Sequence, residues 1–372
     1  MANEIQVMIV DDSALMRNLI TRMIEATPGL VVAERAMNGI FALQKLERSH
    51  PDVIVLDLEM PQMNGIEFLQ ERNRRGIDIP VIILSSIARK GAEITMEALA
   101  LGASDFIMKP SDTNSADIKE VADQLTKLIV VYGRQYRQKK GLQTPTVPEE
   151  ASPLSLHPLE PKTTSNKIVK PTIVPGAKPG PIEIIAIGIS TGGPNALREI
   201  FPKLDKDLPA PILVVQHMPP GFTTEFAKSL DNLCPLEVKE AAEGDIIKPG
   251  RILIAPGDKH LEVEKRPLAT VAHLSDAPPV NGHRPSADIL FASVAKEFGN
   301  RALGVIMTGM GRDGAKELGS ILRSGGLTIG QDEVTSIVYG MPKVAWELGH
   351  VMEQVPLSKM AERINNLTKE YQ

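Results

Sequence analysis

The sequence predicts an α/β protein with two doubly wound domains, each built on a mostly parallel sheet. Short apolar runs alternate with helical patterns in both halves of the chain, and a proline-rich segment separates the halves. The chain of 372 residues also exceeds the roughly 100–200 residues of an average domain. We therefore expect a first domain at residues 1–133, a linker at 134–181 and a second, larger domain at 182–372.

Five β-rich runs define the sheet of the first domain. They are IQVMIV from Ile5, LVVAE from Leu30, DVIVLD from Asp52, PVIILS from Pro80 and SDFIMK from Ser104. Helical patterns lie between these runs, and Ser13 and Asn38 occupy the N-cap positions of two helices. Five parallel strands joined by helices predict a small flavodoxin-like domain.

Residues 134–181 differ in composition from both halves of the chain. Prolines recur there at positions 145, 148, 153, 158, 161, 171, 175, 179 and 181, without a sustained hydrophobic period. A segment of this kind buries too little apolar surface to form a core. We therefore expect a semi-extended, solvated linker.

A second α/β pattern begins at Ile182. Its strand-like runs are IEIIAIG from Ile182, PILVVQ from Pro211, RILIAP from Arg251, ALGVIMTG from Ala302 and GLTIGQ after Gly325. The clearest helical patterns lie at 194–204, 286–298 and 313–323. These elements again predict a mostly parallel sheet covered by helices.

The overall composition argues against several classes of function. The formal net charge is −5 and no basic stripe is present, so a nucleic-acid partner is not expected. The single cysteine, Cys234, cannot form an intrachain disulfide. No apolar run approaches the ~20 residues that span a bilayer, and the amino terminus lacks a signal-peptide pattern. A cytoplasmic protein without direct membrane insertion is expected.

Charged and polar residues end four strands of the first predicted sheet. They are Asp11 with Asp12, Asp57, Ser85 and Lys109. Any one strand-end aspartate is commonly just a helix cap. Together, however, they converge on one edge of a parallel sheet, where ligands bind. Three clustered carboxylates favour a hard cation such as Mg²⁺, and Asp57 is then placed to accept a phosphoryl group.

This region resembles the receiver domain of two-component response regulators. The resemblance rests on VDDSALMR, VLDLEMPQMNG, ILSS and FIMKP, and it extends from residue 5 to about 130. It implies that Asp57 is the phosphorylation site and that Asp11 and Asp12, with Asp57, hold Mg²⁺. It also implies that Lys109 contacts the phosphoryl group, while Ser85 and Phe106 are the hydroxyl and aromatic residues that respond to it.

In the second half, Gly188-Ile189-Ser190-Thr191-Gly192 has the G-x-S-x-G spacing of a nucleophilic serine on a strand-to-helix turn. A glycine-rich turn of this kind also suits a phosphate or a dinucleotide. A dinucleotide site would require an acid at the end of the next strand, but His217 is there instead. Histidine is the general base that a serine esterase uses at neutral pH.

A carboxylate at another strand end should orient this histidine. Asp313 in MTGMGRDG fits best, with Asp332 and Asp288 as alternatives, and His283 is an alternative base. The backbone amides of Thr191 and Met310 are candidates for an oxyanion hole.

The second half is similar to the catalytic domain of the chemotaxis protein-glutamate methylesterases. The similarity rests on GISTGGPNAL, VVQHMPPGFTTEFA, HRPSADILF, TGMGRDGA and GQDEVTSIVYGMPKVA, between about residues 183 and 350. It implies that Ser190 is the nucleophile, that His217 is the general base and acid, and that Asp313 orients His217. The order Ser, His, Asp differs from that of the α/β-hydrolases, so the shared turn does not predict that fold.

The same similarity implies the reaction and the partners. The substrates would be γ-glutamyl methyl esters, and certain glutamines, of methyl-accepting chemotaxis receptors, hydrolysed without a cofactor. A chemotaxis histidine kinase would be the phosphodonor, and the unphosphorylated receiver would restrict the esterase. The alternative is a response regulator whose output domain binds a partner without catalysis.

Overall fold

The chain divides into two compact units, Met1–Pro158 and Leu159–Gln372. The computed structural model describes residues 4–86, 89–110, 115–144 and 177–372. Among these residues, no helix has both the length and the apolar character needed to cross a membrane.

The first unit is the predicted five-stranded parallel domain, with strand order β2-β1-β3-β4-β5. Its strands are β1 (Ile5–Val10), β2 (Leu30–Ala36), β3 (Val53–Asp57), β4 (Val81–Ser85) and β5 (Asp105–Met108). Its helices are α1 (Ala14–Glu25), α2 (Gly39–Ser49), α3 (Gly65–Arg74), α4 (Arg89–Ala100) and α5 (Ser115–Lys139). All five predicted strands are confirmed.

Side-chain caps determine where the first three helices begin. Ser13 accepts a hydrogen bond from the amide of Met16, and Asn38 accepts one from the amide of Phe41, as the sequence predicts. Asn64 and Glu67 form a reciprocal capping box at the start of α3. These caps satisfy backbone donors that have no partner within their helix.

Helix α5 extends to Lys139, past residue 134 where the linker is expected to begin. Buried Arg137 explains the extension, because its guanidinium donates to Asp52 at 2.9 Å and to the carbonyl of Glu4 at 3.1 Å. It also donates to the carbonyl of Gln143 at 2.7 Å, so the chain just beyond the helix stays attached to the first unit. Most of the predicted linker, residues 145–176, lies outside the described residues.

The second unit contains a seven-stranded parallel sheet with strand order β14-β13-β12-β6-β7-β9-β8. These strands are β6 (Ile184–Ile189), β7 (Ile212–Gln216), β8 (Glu237–Glu240), β9 (Arg251–Ile254), β12 (Ala302–Ile306), β13 (Leu327–Gln331) and β14 (Glu353–Val355). An antiparallel hairpin is formed by β10 (His260–Lys265) and β11 (Thr270–Ser275). The helices are α6 (Gly193–Ile200), α7 (Phe222–Asp231), α8 (Ala287–Phe298), α9 (Ala315–Arg323), α10 (Met341–Glu347) and α11 (Leu357–Glu370).

The five strands predicted for the second domain are confirmed, and each of its three predicted helical patterns overlaps a helix. The hairpin and the two edge strands β8 and β14 were not predicted. The edge strands have only four and three residues, too few to produce a readable alternation of apolar and polar residues.

The three central strands of the second sheet determine where its functional residues meet. Strands β12, β6 and β7 are adjacent, parallel and buried along their whole length. Helix α8 lies directly against β6, since a Cβ atom on Gly188 would be only 2.8 Å from the Cβ of Ala287. The carboxyl ends of these strands and the start of α8 therefore share one region of the unit.

Candidate active site and candidate phosphorylation site

Ser190 follows β6 on a tight turn that other residues hold in place. Its amide donates to the carbonyl of Thr308 at 2.9 Å. Its carbonyl accepts from the amide of Gly193 at 2.7 Å and from the side chain of Gln216 at 3.1 Å. Gly192 has a φ of 76°, a left-handed conformation that side chains disfavour. The turn therefore requires glycine at position 192, and these bonds fix the backbone that carries the Ser190 side chain.

Ser190, His217 and Asp313 form one continuous chain of hydrogen bonds. The Nδ1 atom of His217 lies 3.0 Å from the Oγ of Ser190, and its Nε2 atom lies 2.8 Å from the Oδ2 of Asp313. Because a carboxylate only accepts, the network assigns the proton of neutral His217 to Nε2 and leaves Nδ1 as the acceptor. His217 is thus placed to take the hydroxyl proton of Ser190.

Asp313 is buried and receives four donors. His217 Nε2 and the amide of Ala287, at 2.6 Å, reach Oδ2. The hydroxyl of Ser286, at 2.6 Å, and the side chain of Asn281, at 3.0 Å, reach Oδ1. Burial alone would raise the pKa of Asp313, but hydrogen bonds from His217, Ser286 and Asn281 and the charge of His217 hold this pKa well below its ordinary value. The carboxylate therefore stays ionised at neutral pH.

The other two aspartates proposed for this role have different partners. Asp288 accepts from Asn281 at 2.8 Å and from the amide of Glu317 at 2.9 Å. Asp332 accepts from the amide and the hydroxyl of Thr335, at 3.1 and 2.5 Å, and so closes a turn. Neither contacts a histidine among the hydrogen bonds of the described chain. The geometry therefore favours Asp313.

His283, the alternative base, stacks on His217 with ring centroids 3.8 Å apart and an angle of 12° between the rings. Burial first, and then the nearby charge of His217, lower the pKa of His283 to about 4, although Asp313 acts in the opposite direction. Within the described residues, His283 forms no hydrogen bond to Ser190. The geometry therefore favours His217 as the base.

The two amides expected to form an oxyanion hole border the nucleophile. Thr191 directly follows Ser190, and Met310 follows Gly309, where a Cβ atom would lie 2.8 Å from the Cβ of Ser190. In the part of the chain that the structure describes, neither amide donates a hydrogen bond. Their role in binding an oxyanion stays a prediction.

Several residues that support the triad were not singled out from the sequence. Gln216 is buried, and its Nε2 donates to the carbonyls of both Ser190 and His217, at 3.1 and 3.2 Å. Ser286 and Asn281 hold Asp313. Sequence position was the one feature that could have indicated two of these residues: Gln216 directly precedes His217, and Ser286 lies within HRPSADILF.

In the first unit, Asp11, Asp12 and Asp57 offer carboxylate oxygens that all lie within 4.8 Å of one another. The Nζ atom of Lys109 lies 2.7 Å from Asp57 and 3.2 Å from Asp11. Burial raises the pKa of Asp57 and outweighs the opposing effect of Lys109. A set of acidic oxygens that is only partly neutralised fits Mg²⁺, which favours carboxylate ligands and keeps some of its water.

Ser85 and Phe106, the residues expected to respond to the phosphoryl group, lie on neighbouring strands. Ser85 ends β4 and is buried, and its hydroxyl lies 2.7 Å from the hydroxyl of Thr95 on α4. Phe106 lies on β5 and is half-buried. The hydrogen bond with Thr95 directs Ser85 toward α4. Its response to phosphorylation stays a prediction.

Comparison with known proteins identifies both units. The family model described as CheB methylesterase matches residues 185–364, and the response regulator receiver domain model matches residues 7–120. A protein-glutamate methylesterase/protein-glutamine glutaminase of Treponema denticola is 60% identical over 371 residues, covering 99% of each chain. The chain belongs to the CheB methylesterase family.

Two further similar proteins are a full-length relative and a solved catalytic domain. A protein of the same description from Treponema pallidum is 53% identical over 394 aligned positions, covering 99% of this chain and 98% of its own. The crystal structure of the Thermotoga maritima CheB methylesterase catalytic domain shares 41% identity and a TM-score of 0.49, covering 50% of this chain and 98% of its own. The CheB methylesterase match contains Ser190, His217 and Asp313, and the receiver match contains Asp57 and Lys109.

Proposed function

We propose that the second unit is a serine esterase that hydrolyses glutamate 5-O-methyl esters on chemoreceptors, and that phosphorylation of Asp57 in the first unit regulates it. The observation that carries this proposal is the hydrogen-bonded chain from Ser190 through His217 to Asp313. The reaction products are a glutamate side chain and methanol. This is the activity for which the relatives in both Treponema species are named.

The reaction begins when Nδ1 of His217 takes the hydroxyl proton of Ser190. The oxygen of Ser190 attacks the ester carbonyl and forms a tetrahedral intermediate, whose negative oxygen is stabilised by the amides of Thr191 and Met310. The intermediate expels the methoxy group, which receives the proton from His217 and leaves as methanol. A glutamyl ester on Ser190 remains.

Water then completes the cycle through the same residues. His217 takes a proton from the attacking water, and the second tetrahedral intermediate collapses to release Ser190, which regains its proton from His217. Asp313 stays ionised throughout because four donors surround it, and it stabilises the cation that forms on His217. The products are the receptor glutamate and regenerated enzyme.

Deamidation of receptor glutamines can use the same residues. The substrate is then a carboxamide, and His217 protonates the departing nitrogen, so the first step releases ammonia instead of methanol. The acyl-enzyme is the same glutamyl ester in both reactions, and its hydrolysis is unchanged. The names of the two Treponema relatives also include this second activity, as protein-glutamine glutaminase.

The first unit is proposed to accept a phosphoryl group from the phosphohistidine of a chemotaxis histidine kinase. An oxygen of Asp57 attacks phosphorus as the bond from phosphorus to the histidine nitrogen breaks and frees the imidazole of the kinase. Lys109, 2.7 Å from the carboxylate of Asp57, balances the growing negative charge. Asp11, Asp12 and Asp57 would hold Mg²⁺, which would offset the charge of the phosphoryl oxygens. The hydroxyl of Ser85 would then break its hydrogen bond with Thr95 and donate one to the new phosphoryl group.

Release of methanol from methylated receptor membranes tests the esterase proposal. The wild-type protein should release methanol, and a phosphodonor should increase the rate. Ser190→Ala should release none while keeping its fold, since the hydroxyl of Ser190 contacts only His217 among the hydrogen bonds of the described residues. An active-site serine reagent should label the wild type at Ser190. Turnover by Ser190→Ala at the wild-type rate would refute the covalent mechanism.

A further inference from the structure

A tight turn at residues 280–283 lies against the histidine and the aspartate of the triad. The amide of His283 donates to the carbonyl of Val280 at 2.9 Å, and the amide of Val280 donates back at 3.0 Å. Its two central residues, Asn281 and Gly282, have φ values of 53° and 81°. Paired positive φ values with the sequence Asn-Gly are typical of a type I′ turn. The local sequence therefore determines this shape.

The turn delivers two side chains to the triad. Asn281 donates to Asp313 at 3.0 Å and to Asp288 at 2.8 Å, so its amide is fixed between two carboxylates. His283, two residues on, places its ring on the face of His217 with centroids 3.8 Å apart. One short turn therefore contacts both His217 and Asp313.

The chain after the turn is also held firmly. The guanidinium of Arg284 donates to Asp258 at 2.5 and 2.9 Å and to the carbonyls of Asp276 and Ala277 at 3.0 and 3.2 Å. Because Arg284 directly follows His283, these bonds restrict the position of the stacked ring.

We propose that His283 is a positioning residue: its ring holds the imidazole of His217 in the plane that joins Ser190 to Asp313 and shields one face of that imidazole from water. This inference rests on the proposed role of His217 as the general base. The ring nitrogens of His283 form no hydrogen bond within the described residues. His283 therefore contacts His217 through the face of its ring.

The charge of His283 must stay at zero for this role. The pKa of about 4 means that the ring is neutral at the pH of the reaction, when His217 becomes a cation. A neutral aromatic face attracts a cation, whereas a second imidazolium would repel it. The charged group that acts on both rings is Asp313, which is hydrogen-bonded to His217. Arg284, the next residue after His283, is paired with Asp258.

Three substitutions separate the aromatic face from the ring nitrogens. His283→Phe keeps a stacking ring without nitrogen, His283→Gln keeps polarity without a ring, and His283→Ala removes both. His273→Ala is the matched control, because His273 is an exposed histidine on β11 that pairs with Glu243. Methanol release from methylated receptor membranes gives kcat and KM over a range of pH for each full-length variant.

The proposal predicts that His283→Ala and His283→Gln lose about 10- to 100-fold in kcat, the scale of a slightly misplaced catalytic group. Their KM should stay within about twofold, because substrate binding is not changed. His283→Phe should restore kcat, because it keeps the stacked ring. The control His273→Ala should change neither kcat nor KM.

Two results would overturn the proposal. Wild-type kinetics in both His283→Ala and His283→Gln would show that the stack has no role. Equal loss in His283→Phe and His283→Ala with a raised KM would show that the ring nitrogens bind substrate. The Phe variant decides the question even if the smaller side chains destabilise the fold. Ser190→Ala and His217→Ala in the same assay separate a failure of the proposed triad from a failure of this inference. Activity in both variants would refute the triad. Inactivity of both, together with wild-type kinetics in the His283 variants, would refute this inference alone.

Discussion

Replacement of Asp313 by asparagine tests the triad at its most highly connected residue. The carboxylate receives two donors at each oxygen, and an amide can accept at only one of the two positions. If the amide oxygen occupies the Oδ2 position, His217 keeps its proton at Nε2, but the new NH₂ group faces the amide of Asn281. If the NH₂ group occupies that position, it opposes the amide of Ala287 and forces His217 into the wrong tautomer.

The first arrangement should prevail, because the hydroxyl of Ser286 can rotate to accept from the new NH₂ group. Asn281 is exposed and keeps its bond to Asp288, so water can satisfy its opposed N–H group and the loss of folding stability should stay below about 1 kcal/mol. The larger loss is catalytic, because a neutral partner no longer stabilises the cation on His217. Loss of the aspartate from a serine triad reduces kcat by roughly 10⁴, or about 5 kcal/mol in the activation barrier.

The assay is methanol release from methylated receptor membranes, with the thermal unfolding of each variant measured alongside. Asp332→Asn is the control, because Asp332 only closes the turn at Thr335. It should keep kcat within about threefold of the wild type, as expected of a residue outside the catalytic machinery. An Asp313→Asn enzyme within tenfold of the wild type would refute the assignment of Asp313.

Further expected outcomes concern both units. Ser190→Ala and His217→Ala should each abolish methanol release, and the double variant should be no worse, since the residues act as a unit. Asp57→Asn should remove Mg²⁺-dependent labelling by a small-molecule phosphodonor, and stoichiometric labelling at that position would contradict the assignment. The ionised Asp313, whose folded-state pKa is lowered, should stabilise the second unit above pH ~4, and this stability should be lost as the pH falls; equal acid sensitivity of Asp313→Asn would refute this. A fragment starting at residue 177 should be more active than the unphosphorylated full-length protein; equal activity would exclude inhibition by the receiver.

The positions of the principal candidate residues could be predicted because the carboxyl ends of parallel strands lie at one edge of the sheet. Ser190, His217 and Asp313 each follow a buried apolar run, and those runs form three adjacent strands. The same rule applies to Asp11, Asp57 and Lys109 in the first unit. A residue that follows a recognisable strand can thus be placed without knowing the rest of the fold.

The supporting residues could not be predicted in the same way, because their partners are distant in sequence and their own segments are irregular. The end of α5 depends on the contact between Arg137 and Asp52, which are 85 residues apart. Asn281 lies in a turn whose Asn-Gly sequence is readable, but nothing in that sequence indicates that the side chain reaches Asp313. Ser286 has the residue type of an N-cap, yet its hydroxyl donates to Asp313.

Each unit has a buried aspartate at or just beyond the end of a central strand, and the pKa of the two aspartates is shifted in opposite directions. Burial raises the pKa of both Asp57 and Asp313, and the difference lies in what surrounds them. Asp57 has Lys109 and one backbone donor, at 3.3 Å from Glu59, and the carboxylate of Asp11 adds repulsion. Asp313 has four donors, which lower its pKa and occupy both of its oxygens.

This difference matches the chemistry proposed for each residue. A carboxylate that is to attack phosphorus needs an oxygen that is not fully engaged, and its surplus of negative charge favours the binding of a divalent cation. A carboxylate that only orients a histidine must neither react nor move, and saturation with donors from Ser286, Asn281 and the start of α8 prevents both. The number of donors around each aspartate, more than its burial, therefore distinguishes the proposed nucleophile, Asp57, from the proposed fixed charge, Asp313.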